Sequence, residues 1–314
     1  MNNKILFLFL LCTSLNACQS QSVIQANTPA DRGMLVRHVR ALTDAEATRT
    51  YYNPHILNNT AAYITEVFSK YSGCVSPQIY KADGVEYKNI ICSFGPEAGE
   101  RIIIGAHYDV FGDQPGADDN ASGVAGLLEI ARLLAGVESM LRYRVDLVAF
   151  TLEEQPFFKT PLMGSAVHAA SLIADGVKVR LMVCLEMIGY YSDKDDSQQF
   201  PIGLLEWFYP SKGDFILIVS NFSSHFSARE FRINMRKKMD TDIQGITSPS
   251  FVTGVDFSDH YNYWKEGYRA IMVTDTAFFR NGHYHQVSDT PETLNFDKMS
   301  DVVNGVFHAV INLK

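Results

Sequence analysis

The side chains able to do chemistry stand in a fixed order of imidazoles and carboxylates. His107 is followed by Asp109, and Asp118, Asp119 and Asn120 lie inside Gly116-Ala117-Asp118-Asp119-Asn120-Ala121-Ser122-Gly123. Glu153 and Glu154 form a pair, Glu186 opens Glu186-Met187-Ile188-Gly189, and His285 precedes Ser288-Asp289-Thr290. Gathered in one cleft, these carboxylates would repel one another strongly, and a metal cation relieves that cost. Imidazole and carboxylate donors without thiolates suit zinc. A carboxylate shared by two ions about 3.5 to 4 Å apart is the arrangement that activates a water between them. Singly, each motif has a plainer reading: His-x-Asp is a turn, Asp-Asp-Asn caps a helix, and paired glutamates are solvated. Their succession at consecutive strand ends favours the metal.

The elements that position these residues are visible as short apolar runs. Ile102 to Ala106 ends at His107, Val145 to Phe150 leads to Glu153-Glu154, Val179 to Leu185 leads to Glu186, and Ala270 to Val273 precedes the segment with His285. With Phe215 to Val219, these read as strands buried on both faces. Val124, Leu127, Leu128, Ala131 and Leu134 trace one helix face that Gly136 ends, and Ala61, Ile64, Phe68 and Tyr71 trace another behind Thr60 as N-cap. Asp83-Gly84, between Val75 to Tyr80 and Val85 to Phe94, signals a hairpin. The pattern predicts an α/β fold, a three-layer α/β/α sandwich with a mostly parallel central mixed sheet, ligands gathering at the strands' carboxyl ends.

Composition sets the outer limits. The chain has 314 residues, 46% of them hydrophobic, enough for a substantial core. Lys and Arg number 27 against 35 Asp and Glu, a formal charge of −8, which argues against nucleic acid as a partner. The long apolar run Ile5 to Leu11 is far short of the roughly 20 residues that span a bilayer. It sits behind Lys4 and before Leu15-Asn16-Ala17-Cys18, the order of an export signal, and that ending resembles a bacterial lipoprotein lipobox. Residues 1–17 are therefore read as a lipoprotein-type signal peptide, Cys18 as the lipidated first residue, 18–30 as a tether, and 31–314 as a single catalytic domain. The expectation is an exported lipoprotein of the bacterial cell envelope, facing the periplasm or the cell surface and touching the membrane only through its lipid. Cys74 and Cys92 would lie almost opposite each other across the hairpin, and an oxidising compartment would join them in a disulfide.

The ordered set His107-x-Asp109, Pro115 to Gly123, Glu153-Glu154 with Gly164-Ser165, Glu186 to Gly189, Ser258-Asp259-His260 and His285 with Ser288-Asp289-Thr290 resembles the dizinc aminopeptidase family. That family includes bacterial leucyl aminopeptidases, glutamate carboxypeptidases and, as a single-zinc branch, the animal-type glutaminyl cyclases. The resemblance implies a zinc exopeptidase fold with two zinc ions: His107 and Glu186 on one, Glu154 and His285 on the other, and Asp119 bridging. It further implies that Asp109 fixes the His107 imidazole by a hydrogen bond, that Glu153 is the general base and acid, and that Ser258 and His260 contact substrate. Phe278-Phe279 and Pro156-Phe157-Phe158 are candidates for a specificity pocket. Most relatives carry aspartate where Glu186 stands, so this ligand is one methylene longer. The implied activity is hydrolysis of N-terminal residues from a peptide substrate. The alternatives are a glutaminyl-peptide cyclotransferase on the same scaffold and a non-catalytic binding relative, the latter disfavoured by the intact Glu153 and ligand set.

Overall fold

Asp83 and Gly84 both adopt positive φ, 49° and 83°, as a two-residue hairpin turn requires, and they join β1 (Val75–Ala82) to β2 (Val85–Phe94). The computed structural model describes residues 28–44 and 47–314; the signal segment, Cys18 and most of the tether lie outside them. The other strands are β3 (Arg101–His107), β4 (Arg144–Phe150), β5 (Val179–Glu186), β6 (Ile216–Ser220), β7 (Ile243–Thr247) and β8 (Ala270–Thr274). They form one mixed sheet of eight strands in the order β1-β2-β4-β3-β5-β8-β6-β7. β4, β3, β5 and β8 run parallel at its centre, so their carboxyl ends lie on one edge.

Side chains alternate across a strand, and the core divides accordingly. Ile102, Ile104, Leu147 and Val183 join one apolar cluster, while Ile103, Val148, Met182 and Cys184 join another on the opposite face. The first face is covered by α1 (Arg32–Thr43), α2 (Pro54–Ser69), α3 (Gly123–Ala135), α5 (His225–Met235) and α7 (Phe296–Ile311); α4 (Gly164–Ala174) and α6 (His260–Lys265) lie on the other. This is the predicted α/β sandwich.

Two local expectations are corrected and one strand is new. Thr60 is not an N-cap: α2 begins at Pro54, whose fixed φ suits a first turn, and the Thr60 hydroxyl donates back to the Ile56 carbonyl within the helix. The Cys74–Cys92 disulfide is not formed. The register sets Cys92 opposite Val75, which leaves Cys74 one residue out of line; Cys74 is exposed, Cys92 is buried, and both thiols are free. The edge strand β7 carries no alternating pattern, being half-buried along most of its length, and so gave no strand signal.

Candidate active site

His107 closes β3 and Glu186 closes β5, while Glu153 and Glu154 follow β4 after a bend in which Leu152 takes φ 59°. Asp119 sits in the turn 117–122 that leads into α3, and His285 lies on the loop beyond β8. Gly123 lets that turn approach β5, since a Cβ there would stand 2.4 Å from Asn120 Oδ1 and 2.6 Å from the Leu185 carbonyl.

The fold brings the five predicted ligands into two groups that share one member. His107, Asp119 and Glu186 present donor atoms all within 4.8 Å of one another, and so do Asp119, Glu154 and His285. His107 Nε2 is 3.4 Å from Asp119 Oδ1 and 3.4 Å from Glu186 Oε2. His285 Nε2 is 3.1 Å from Asp119 Oδ2 and 3.3 Å from Glu154 Oε1. The two oxygens of Asp119 thus face the two groups separately, as a bridging carboxylate must. Glu153 lies beside them, its Oε2 4.0 Å from His107 Nε2.

Around this centre, side chains hold the ligands through the backbone. The Asp109 carboxylate stands 3.6 Å from His107 Nδ1, too far for a hydrogen bond. The ring is held instead by the Asp109 main-chain carbonyl at 3.1 Å. That carboxylate accepts from the amides of Glu153 and Glu154, both at 3.1 Å, and so fixes the turn that carries the glutamates. Asp289 does the same for the Asp118 and Asp119 amides, at 2.9 and 3.1 Å. Sequence reasoning gave Asp289 no role, although it stands in the motif after His285. Ser258 and His260, expected to contact substrate, are both fully buried. Ser258 donates to Glu186 Oε2 at 2.6 Å, holding the longer ligand in place, and His260 Nε2 pairs with the Val255 carbonyl at 2.8 Å. Phe157 likewise belongs to the core, while Phe278 and Phe279 line a cavity beside Glu186 together with Phe257, Met272 and Tyr284. It encloses about 810 Å³ of open space, solvent at its mouth included, and its lining is chiefly apolar.

Charge is concentrated without matching cations. Burial pushes Glu153 well above the ordinary carboxylate range, with Glu154 and Glu186 adding to it. Burial and Asp119 raise Glu154 to about 7, and burial raises Glu186. Burial alone would lower His285, but Asp119 and Glu154 lift it to about 10. Burial would raise Asp119, yet His107 and His285 hold it far below the usual range. Arg49, also missed from the sequence, is the one wholly buried arginine or lysine among the described residues, and it spends its donors on main-chain carbonyls. A cleft of buried carboxylates and imidazoles in this geometry is chemically matched to divalent cations.

Comparison with known proteins places the chain in a family. Residues 89–310 match the model of peptidase family M28. Over 288 residues the chain is 46% identical to the uncharacterised protein YfbL of Escherichia coli strain K12, spanning 89% of this chain and 88% of that one. It is 27% identical over 299 residues to a probable leucine aminopeptidase of Trichophyton verrucosum, spanning 90% of this chain and 73% of the other. The fold is shared with the glutaminyl cyclase of Bacteroides thetaiotaomicron, with a TM-score of 0.69 and 18% identity over 91% of this chain and 99% of that one. The chain belongs to peptidase family M28 and is a metallopeptidase.

Proposed function

We propose that the protein is a dizinc aminopeptidase that removes apolar residues from the free N-termini of peptides. The observation that carries this reading is the pair of donor groups sharing Asp119, with Glu153 beside them and an apolar cavity opening at Glu186. His107, Asp119 and Glu186 would hold one zinc ion, and Asp119, Glu154 and His285 the other. When bound, zinc supplies Lewis-acid polarisation of the scissile carbonyl and activation of water.

The rest falls to this chain's own residues. Glu153 takes the proton of the attacking water and delivers it to the departing amine, a transfer worth about 10² to 10⁴ in rate. Its carboxylate, beside both donor groups, is placed to hold the proton between the two steps. Asp109 fixes the main chain at Glu153 and Ser258 fixes the Glu186 carboxylate, so the turn that carries the base and this donor is positioned before substrate arrives. The cavity walled by Phe257, Met272 and Phe278 receives the first side chain. The N-terminal segment supports an exported lipoprotein, which would meet its peptides outside the cytoplasm; mass spectrometry of the mature N-terminus tests this, expecting a diacylglyceryl-modified Cys18.

The experiment is a product analysis on three peptide types. Free peptides beginning with leucine or phenylalanine should lose that residue, whereas acetylated ones should remain whole. Peptides beginning with glutamine should not lose ammonia. Loss of ammonia with no peptide bond cut in any substrate would assign the chain to the cyclase branch instead.

A further inference from the structure

A second pocket lies between α5 and the strands β6 and β7, with Ser220, His225, Arg229, Arg232, Gly245 and Thr247 among its lining residues. Arg229 and Arg232 are three residues apart on α5 and therefore share a face, where like charges repel. Neither guanidinium has a hydrogen bond or ion pair to any described residue, and no carboxylate lines the pocket. In a chain of formal charge −8, two unpartnered guanidiniums converging on one concavity are not explained by a general excess of positive charge.

The surroundings are shaped to hold them there. A Cβ at Gly245 would stand 3.1 Å from Arg232 Nη1 and 3.2 Å from its Cδ, so the glycine lets this arginine pack closely on the β7 backbone. Ser220 is fully buried, its hydroxyl 2.9 Å from that of Thr247, which also meets His225 Nδ1 at 2.8 Å. These hydroxyls are taken up with one another, so what the site offers a ligand is two planar forks beside about 340 Å³ of open space, solvent at its mouth included. Forked guanidiniums match the oxygens of phosphate and carboxylate groups.

We propose that this pocket binds a small oxyanion, a phosphate or carboxylate group held between Arg229 and Arg232, separate from the metal centre. Inorganic phosphate, acetate and succinate serve as probes in calorimetric and thermal-unfolding titrations of the metal-loaded protein at low salt. Wild type should bind phosphate or a carboxylate at about millimolar concentration, with a rise in Tm by mass action. R229Q/R232Q should bind at least about tenfold more weakly, having lost two charge-assisted contacts, while any phosphate held at the metals stays common to both proteins. Binding of phosphate alone assigns a phosphate group, and binding of acetate or succinate assigns a carboxylate; either supports the site. R232K should recover only part of the affinity, since an ammonium lacks the fork. Equal binding by wild type and the double variant, or none up to about 20 mM of any probe, would overturn the proposal.

Discussion

Replacing Arg49 with methionine should destabilise the protein more than almost any other single change outside the hydrophobic core. The guanidinium is wholly buried and donates to the carbonyls of Leu42, Tyr108, Pro115 and Gly116, the last three at 2.9, 2.9 and 3.0 Å. Burial lowers its pKa to about 10, eased by Asp289, Asp109 and Asp119, so it stays charged at neutral pH. Methionine keeps much of the volume, and the Gly116 carbonyl retains the Ala121 amide at 3.1 Å, but the carbonyls of Leu42, Tyr108 and Pro115 lose their donor, each orphan costing about 1–3 kcal/mol. Recovery of the guanidinium's desolvation cost offsets part of this. Three orphaned carbonyls, less that recovery, leave a net cost of about 3–5 kcal/mol, a large share of the roughly 5–15 kcal/mol a domain has. Urea unfolding followed by tyrosine and tryptophan fluorescence should show a lower midpoint at unchanged slope. R49K should recover less than half, because one ammonium cannot span the same carbonyls. A loss under about 1 kcal/mol for R49M, or full rescue by lysine, would refute the reasoning.

Other outcomes follow from the same geometry. Glu153→Gln should retain the metals and the fold, by elemental analysis and circular dichroism, while kcat/KM falls by about 10² to 10⁴. Gly105→Ala would place a Cβ 2.2 Å from the buried Phe150 ring, costing about 1–3 kcal/mol or more in unfolding measurements; Phe150→Leu in that background should give part of it back. His168, buried with its Nδ1 2.6 Å from the Tyr263 hydroxyl, has its pKa lowered by burial to about 4 from 6.5. The unfolded chain therefore binds this proton first as pH falls, and stability drops between about pH 6.5 and 4 by up to ~3 kcal/mol. His168→Gln should remove that part of the slope, seen as a smaller stability difference between pH 7 and pH 5 than in wild type.

The candidate ligand set was legible because each of its residues stands near the end of a buried strand or in the loop that follows one, and apolar runs mark such strands plainly. The choice of Asp119 over Asp118 came from the family resemblance, which sets the bridging aspartate four residues before Gly123, and Asp118 instead accepts from the Gly189 amide and Asn281. What the sequence hid are residues that act through the main chain. Arg49 stands in no motif, since its partners are carbonyls, and carbonyls leave no trace in side-chain identity. Asp109, Ser258 and His260 were visible as residues, but their partners were not. Asp109 serves the Glu153-Glu154 amides, Ser258 serves Glu186, and His260 is a buried structural imidazole. The Cys74–Cys92 pairing failed on a register one residue from the expected one, a shift that turns a side chain to the opposite face.

The most direct test of the dizinc account is the zinc content of purified protein after mild dialysis, measured per chain by elemental analysis. The shared Asp119, with one oxygen toward each donor group, predicts a stoichiometry near two that falls in Asp119→Ala, the variant that removes the bridge. A wild-type value that never exceeds one with zinc in excess would contradict the dizinc assignment and favour the single-zinc cyclase chemistry.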